Sequence, residues 1–360
     1  MKRSRYFLTF IGICFIFTLL LYSQGVTHVF SADDKFGFID KSGKIVIEPR
    51  FDMAHPFSEG LAPVLAGGRW GYIDKTGKTV IDFRFVSAEH FEEGLASVCI
   101  SDKNAPQGFE CGLIDKEGKM VIEPFTDMPL IFSEGLAVFS DWRSDKFGYI
   151  DKTGKVVIEP RFDGPDNFSD GLAKAWLDDE QVYIDKTGKI VIVSPFIEIG
   201  NFSEGLASSC NDDNKCGYID KTNKAVIEPQ FDMAFPFSEG LAAVAIADED
   251  GSYFKFGYID KTGELRIPLE FAGAENFTEG LAVVEINKKW GYIDKTGKLV
   301  VPAEFDYIMT PFSEGLALVK KGEELGFIDK KGKVVIKLQF GGASSFQEGL
   351  AVIGPKPTLR

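Results

Sequence analysis

The chain has 360 residues, a formal charge of −14 and 44% apolar residues, among them 33 phenylalanines. That apolar content excludes wholesale disorder. The negative balance, which deepens to −17 once the three bases of residues 1–25 are set aside, repels phosphate backbones and excludes nucleic acid as an expected partner.

The chain begins with Lys2, Arg3 and Arg5, followed by an apolar run from Tyr6 to Tyr22 and then small or polar residues. This is the order of a secretory signal peptide, with processing sites after Gly25 or Ser31. Residues 1–31 are therefore expected to be a signal peptide, the alternative being an uncleaved N-terminal anchor. Export to the periplasm, cell surface or medium follows from the first; the only expected membrane contact follows from the second.

From residue 32 to 353 one unit of about 34 residues recurs nine times. Gly-aromatic-Ile-Asp opens most units, for example Gly71-Tyr72-Ile73-Asp74; Leu113 replaces the aromatic residue in one unit and Val182 replaces Gly in another. A second signature, Phe-x-acid-Gly-Leu-Ala, also occurs nine times, from Phe57–Ala62 to Phe346–Ala351. The two signature glycines stand 23 residues apart in eight units and 24 in the unit of Gly291. The return to the next unit takes 11 residues at its shortest but 18 after Gly94 and 17 after Gly240. Each unit thus has one fixed part and one variable loop.

Within a unit, Tyr72-Ile73-Asp74 reads as a strand, Lys75-Thr76-Gly77-Lys78 as a tight turn, and Thr79-Val80-Ile81 as the returning strand. The turn Gly is expected at positive φ, and Asn223, its one replacement, is the next most tolerant residue there. The Asp that opens each turn is expected to bond its own backbone rather than a metal. Proline after the second strand, as at Pro49, Pro160 and Pro229, is expected to stop the ladder. Leu-Ala-x-Val after the acid-Gly turn starts a third strand. Helical periodicity is absent throughout, so the fold class is all-β, built of nine three-stranded meanders that must bury one another's faces.

These residues resemble the bacterial WG-repeat (KWG-repeat) family, most closely at Trp70–Lys78 and Trp290–Lys298. The resemblance covers residues 36–353 and implies an often exported β-repeat protein without assigned catalysis. Seven units carry Phe, Cys, Gln or Leu in place of the namesake Trp. An open, twisted solenoid is the favoured arrangement, and a closed propeller-like ring the alternative. In the ring, the last strand and the first two would complete one sheet. Residues 354–360 form a short tail.

Four cysteines follow the leader. Cys99 and Cys210 each lie five residues after the Gly of Gly-Leu-Ala, and Cys111 and Cys216 each immediately precede the next unit's first signature. The paired slots flank the variable loop, which predicts disulfides Cys99–Cys111 and Cys210–Cys216 and agrees with an oxidising compartment. With His28, His55 and His90 as the only histidines, no catalytic triad, phosphate loop or metal-ligand spacing is present; no catalytic residue, metal or cofactor is expected. Asp248-Glu249-Asp250-Gly251 lacks the spacing of a calcium loop and reads as a solvated loop.

The expected function is a non-catalytic scaffold that binds an unidentified protein at the cell envelope. Candidate contacts are the large loops Ser97–Phe109 and Ala243–Phe256 and the tryptophans Trp142 and Trp176, with Trp70 and Trp290 beside them. Cell-wall or glycan binding through aromatic-Gly hairpins is the alternative, which requires Tyr72 or Tyr292 to be exposed. A structural spacer is a further one.

Overall fold

A computed structural model describes residues 35–105, 107–193 and 198–355. The leader proposed for residues 1–31 lies outside them. So does most of the C-terminal tail. The described residues form nine small antiparallel sheets and contain no helix.

The sheets close into a ring, so the chain is a nine-bladed β-propeller and not an open solenoid. One composite sheet makes the closure. Phe36–Asp40 and Ile45–Phe51, from the start of the array, pair with Leu350–Gly354 and Gly342–Ala343 from its end. Gly37 lies opposite Ile353 and Asp40 opposite Leu350. Blades are numbered here by their Gly-aromatic signature, from blade 1 (Gly37, the composite) to blade 9 (Gly326). Each sheet joins the second half of one repeat to the first half of the next.

Blade 2 shows the common plan. Met53–Ala54 is a two-residue first strand, followed by Leu61–Ala66, Arg69–Asp74 and Thr79–Phe85. The first strand makes four where three are expected from sequence. It is too short to show a period, and its order comes from pairing Met53 with Leu65 and Ala54 with Val64.

The second correction concerns proline. The fourth strand does not stop at Pro49, Pro160 or Pro229 but runs on to Phe51, Phe162 and Phe231. Pro sits in a bulge: Phe38 opposes Ile47, yet Phe36 opposes Phe51, so four residues of one strand match two of the other. The signature Gly makes the bulge possible, because a Cβ on Gly37 would lie 2.5 Å from the Ile47 carbonyl oxygen and 2.7 Å from the Pro49 nitrogen. Where Val182 replaces Gly, that position stays in register: Val182 opposes Val193 beside Tyr183 opposite Ile192. That blade is also the three-stranded one.

Both faces of each sheet are buried. In blade 2, Tyr72 packs with Phe91 and Val98 of blade 3, whereas Ile73 packs with Phe38 and Ile47 of blade 1. The aromatic of the first signature meets the Phe of the next blade's second signature at eight of the nine seams, with ring centroids 4.6–4.9 Å apart. Six buried tyrosines also donate their hydroxyl to a backbone carbonyl of the next blade, as Tyr72 does to Glu89 at 2.7 Å. Ala of Gly-Leu-Ala is buried in every blade.

Candidate interaction face

The register fixes two different ends to each blade. In blade 2, Leu61 lies opposite Asp74 at one end and Ala66 opposite Arg69 at the other. The acid-Gly turn and the Asp-Lys-Thr-Gly turn therefore share one end, and the loop of variable length lies at the opposite end. The same contacts join neighbouring blades around the whole ring, so all variable loops emerge on one face.

The turn end is nearly identical in every blade. Asp74 Oδ1 accepts the amides of Thr76 and Lys78 and the Thr76 hydroxyl, the bonding expected of it. Gly77 has φ 84° and Asn223 φ 64°, again as expected. The Thr76 hydroxyl, more than any other partner, holds Asp74 below the usual carboxylate range.

The acid-Gly turns form a closed circuit that sequence reasoning missed. Each is a two-residue hairpin with both residues at positive φ, such as Glu59 at 53° and Gly60 at 87°. Glutamate is strained there, by about 1–2 kcal/mol. What the position gains is inter-blade bonding. At eight seams the carboxylate accepts the Gly N–H of the next blade's turn at 2.5–3.2 Å. At all nine seams it pairs with the Lys of the next blade's Ile-Asp-Lys. Glu314–Lys41 and Glu348–Lys75 carry the circuit through the composite blade. Partial burial alone would raise Glu348, but the Lys75 ion pair and the Gly60 N–H outweigh it and hold the group low.

The circuit also locates the axis. One Glu side chain plus a hydrogen bond reaches only about 7–8 Å, so nine such steps close a circle of roughly 10–12 Å radius. Neighbouring strands lie about 4.8 Å apart, so a four-stranded blade can only extend outward from it. The short first strands are thus innermost.

The loop end differs from blade to blade. Blades 2, 5, 8 and 9 turn in two residues, at Gly67-Gly68, Asp178-Asp179, Asn287-Lys288 and Gly322-Glu323, whereas blades 3 and 7 carry the longer loops 102–108 and 248–253. The two predicted disulfides are formed. Cys99 lies opposite Cys111 and Cys210 opposite Cys216, and each pair staples the base of one loop. In the acidic loop of blade 7, Asp248 Oδ1 accepts the Tyr253 amide and Asp250 Oδ1 that of Ser252.

The four predicted tryptophans do not form one patch. Trp142 is exposed at the blade 4 loop with the Arg143 guanidinium over its ring. Trp70 is half-buried, edge-on to His55 at 4.8 Å, and Trp290 packs against Tyr307 of the next blade at 5.7 Å. Trp176, expected to be exposed, is half-buried opposite Gln181. Gln181 occupies the namesake slot in that unit, so the indole has moved to the facing strand. Sequence reasoning also passed over Tyr253, 76% exposed at the tip of the blade 7 loop. Tyr72 and Tyr292 are fully buried, which removes the platform that sugar binding required of them.

The sequence matches the family described as WG containing repeat at residues 36–70, 70–103, 112–140, 147–176, 183–214, 217–248, 256–290, 290–324 and 326–353. The chain belongs to the WG-repeat family, and its nine matches are the nine units that build the blades. No curated protein matches it. Among solved structures, a eukaryotic initiation factor aligns over 92% of this chain and 100% of its own with a TM-score of 0.57 and 10% identity. BamB from Moraxella catarrhalis aligns over 74% of this chain and 92% of its own (TM-score 0.39, 14% identity). The β-propeller domain of the Trilobed protease from Pyrococcus furiosus aligns over 71% and 96% (TM-score 0.39, 11% identity). The first likeness speaks to the fold alone.

Proposed function

We propose that the protein is an exported, non-catalytic scaffold whose loop face binds a protein partner at the cell envelope. One observation carries the reading: length varies chiefly at the loop end, while the turn end is repeated around the ring with one extra residue in the unit of Gly291. In repeat proteins such variation gathers on the binding face. Trp142 and Tyr253 supply exposed aromatic area there, of the kind that anchors protein contacts. Two disulfides stiffen the loops of blades 3 and 6, which lowers the ordering cost of binding and fits an oxidising compartment. No helix among the described residues is long and apolar enough to cross a membrane.

The test compares faces. Variants with Trp142→Ala and Tyr253→Ala, or with loops 102–108 and 248–253 cut to two residues, are offered to envelope protein extract and to purified wall material. The reading expects a specific envelope protein to be captured by the parent and lost by the loop variants. It also expects capture to survive Lys75→Gln on the turn face. Equal capture by all variants, or capture by wall glycan alone, would refute it. Fractionation of the native host, with the N-terminus of the mature chain sequenced, tests export.

A further inference from the structure

At the loop end of a seam, the residue just before the first signature packs toward the following blade. Phe147 of blade 4 joins an apolar cluster shared with blade 5, and Phe256 of blade 7 joins one shared with blade 8. The same two clusters hold Leu177 and Ile286, the last residues of strands Leu172–Leu177 and Leu281–Ile286. Both aliphatic side chains are half-buried there.

Blade 6 breaks this pattern. Its slot holds Cys216, tied back to Cys210. In blade 7 the residue equivalent to Leu177 and Ile286 is Ile246. Ala242 and Val244 of the same strand pack on blade 6, and Ile246 continues that face two residues further on. It is 37% exposed. The ladders widen the gap. Both blades start from the same Leu-Asp pairing, but blade 6 ends at Cys210 opposite Cys216, whereas blade 7 runs on to Ala247 opposite Phe254. Two further ladder pairs raise blade 7 by about 7 Å over its neighbour. What remains is a concavity of about 300 Å³ lined by Ile246, Ala247 and Leu269 together with Asp248, Glu249 and Lys255. The other cysteine slot is not left open in this way. Beside Cys111, Phe125 packs on Phe139 of blade 4, and Asp141 stands at the position of Ile246.

We propose that this concavity takes an aromatic side chain of the partner, a Phe or Trp flanked by Lys or Arg. The proposal rests on the reading of the loop face as the binding face and names the chemistry of what binds there. Two seams of the same molecule show what fits, since each sets an aromatic ring in the cluster of the aliphatic residue at this position. Charge selects the flanks. Asp248 and Glu249 belong to the concavity, and the exposed Asp212 and Asp213 of blade 6 and Asp178, Asp179 and Glu180 of blade 5 extend the negative field along the face. The ring supplies contact area and the cations supply steering and register.

Calorimetric titration of the full oxidised protein with synthetic peptides tests this. Lys-Lys-Phe-Lys-Lys is expected to bind at least about tenfold tighter than Lys-Lys-Ser-Lys-Lys or Glu-Glu-Phe-Glu-Glu. Ile246→Ser should erase the preference for Phe over Ser. Cys216→Phe with Cys210→Ser returns a ring from blade 6 and should erase it too, whereas Cys216→Ser with Cys210→Ser opens the disulfide without filling the space and should keep it. If the Phe variant does not fold, Ile246→Ser decides. Equal binding of the Phe and Ser peptides overturns the proposal, as does a preference that survives Ile246→Ser. Parent chains that self-associate in sedimentation, and separate on Ile246→Ser, would make a second copy the occupant and overturn it as well. Envelope capture separates this proposal from the broader reading. Capture lost on shortening the loops but kept by Ile246→Ser leaves the loop face standing and overturns the concavity. Aromatic-dependent peptide binding without any captured envelope protein does the reverse.

Discussion

The two ends of this propeller answer to different constraints. At the turn end every blade reaches the next through an acid-Gly carboxylate and a lysine, and at eight of the nine seams through a glycine amide as well, so a change in one turn is felt by two blades. At the loop end each hairpin closes on itself. Gly68 has open space where a Cβ would point, whereas a Cβ on Gly77 would lie 3.0 Å from the Arg50 guanidinium and 3.1 Å from Ile47, both of the preceding blade. Assembly therefore resides at one end and freedom to vary at the other.

The largest expected effect comes from violating the assembly end. Gly297→Val places a branched side chain at φ 83° and within 3.1 Å of Ile267 in the preceding blade. Backbone strain and steric overlap together predict a loss of about 3 kcal/mol or more, read as a fall in the denaturant midpoint. Replacing loop 248–253 by Asn-Gly should change stability by less than about 1 kcal/mol. If the two changes cost the same, the contrast between ends fails.

Reduction of the two disulfides comes next. The loops they close are short, with separations of 12 and 6 residues, and chain entropy assigns roughly 2–3 kcal/mol to each. Melting with and without reductant, beside the paired Cys→Ser variants, measures it. A stability unaffected by either would show that the loop end needs no staples.

Acid should act on one blade before the rest. Burial, helped by the charge of His90, pulls His55 down to about 4 from an ordinary 6.5. The unfolded chain therefore binds the proton more readily. His55 contributes its full stability above pH 6.5 and loses it as pH falls toward 4, by at most about 3 kcal/mol before solvent screening is discounted. The turn aspartates, held below 3.8, lose theirs only at lower pH. His55→Gln should flatten the decline between pH 6.5 and 4 and leave the lower limb in place; an unchanged profile would remove His55 from the account.

Much of this was legible in the residues. The cysteine slots gave the disulfides because cross-strand neighbours are set by spacing, and Asn223 gave the backbone conformation of its turn because few residues tolerate it. Closure was not legible. The angle between blades is a sum over whole interfaces and no single residue encodes it, so the terminal half-sheets suited an open array as well as a ring. The carboxylate circuit was readable in principle, since an acid before Gly and a Lys after Ile-Asp are kept in all nine units. Its meaning depended on knowing that consecutive turns lie one side chain apart. Proline misled because a bulge lets a strand pass it, and the cue was the Gly opposite. Trp176 misled because its slot was judged by sequence position, whereas the space it fills is shared by two strands.

The smallest effect separates two seams whose carboxylates are bonded differently. At Glu239 the carboxylate accepts the Gly280 amide and pairs with Lys295, both in the next blade. Glu239→Gln keeps an acceptor for the amide and removes the charge, so it should cost about 0.5–1 kcal/mol and the cost should shrink in high salt. Glu239→Ala removes the acceptor too and should cost more, with a remainder that salt does not touch. At Glu93, which pairs with Lys152 without holding Gly135, the Gln and Ala variants should lose about the same amount, and added salt should cancel most of it. A salt-resistant remainder at Glu93 equal to that at Glu239 would mean that the two seams are bonded alike.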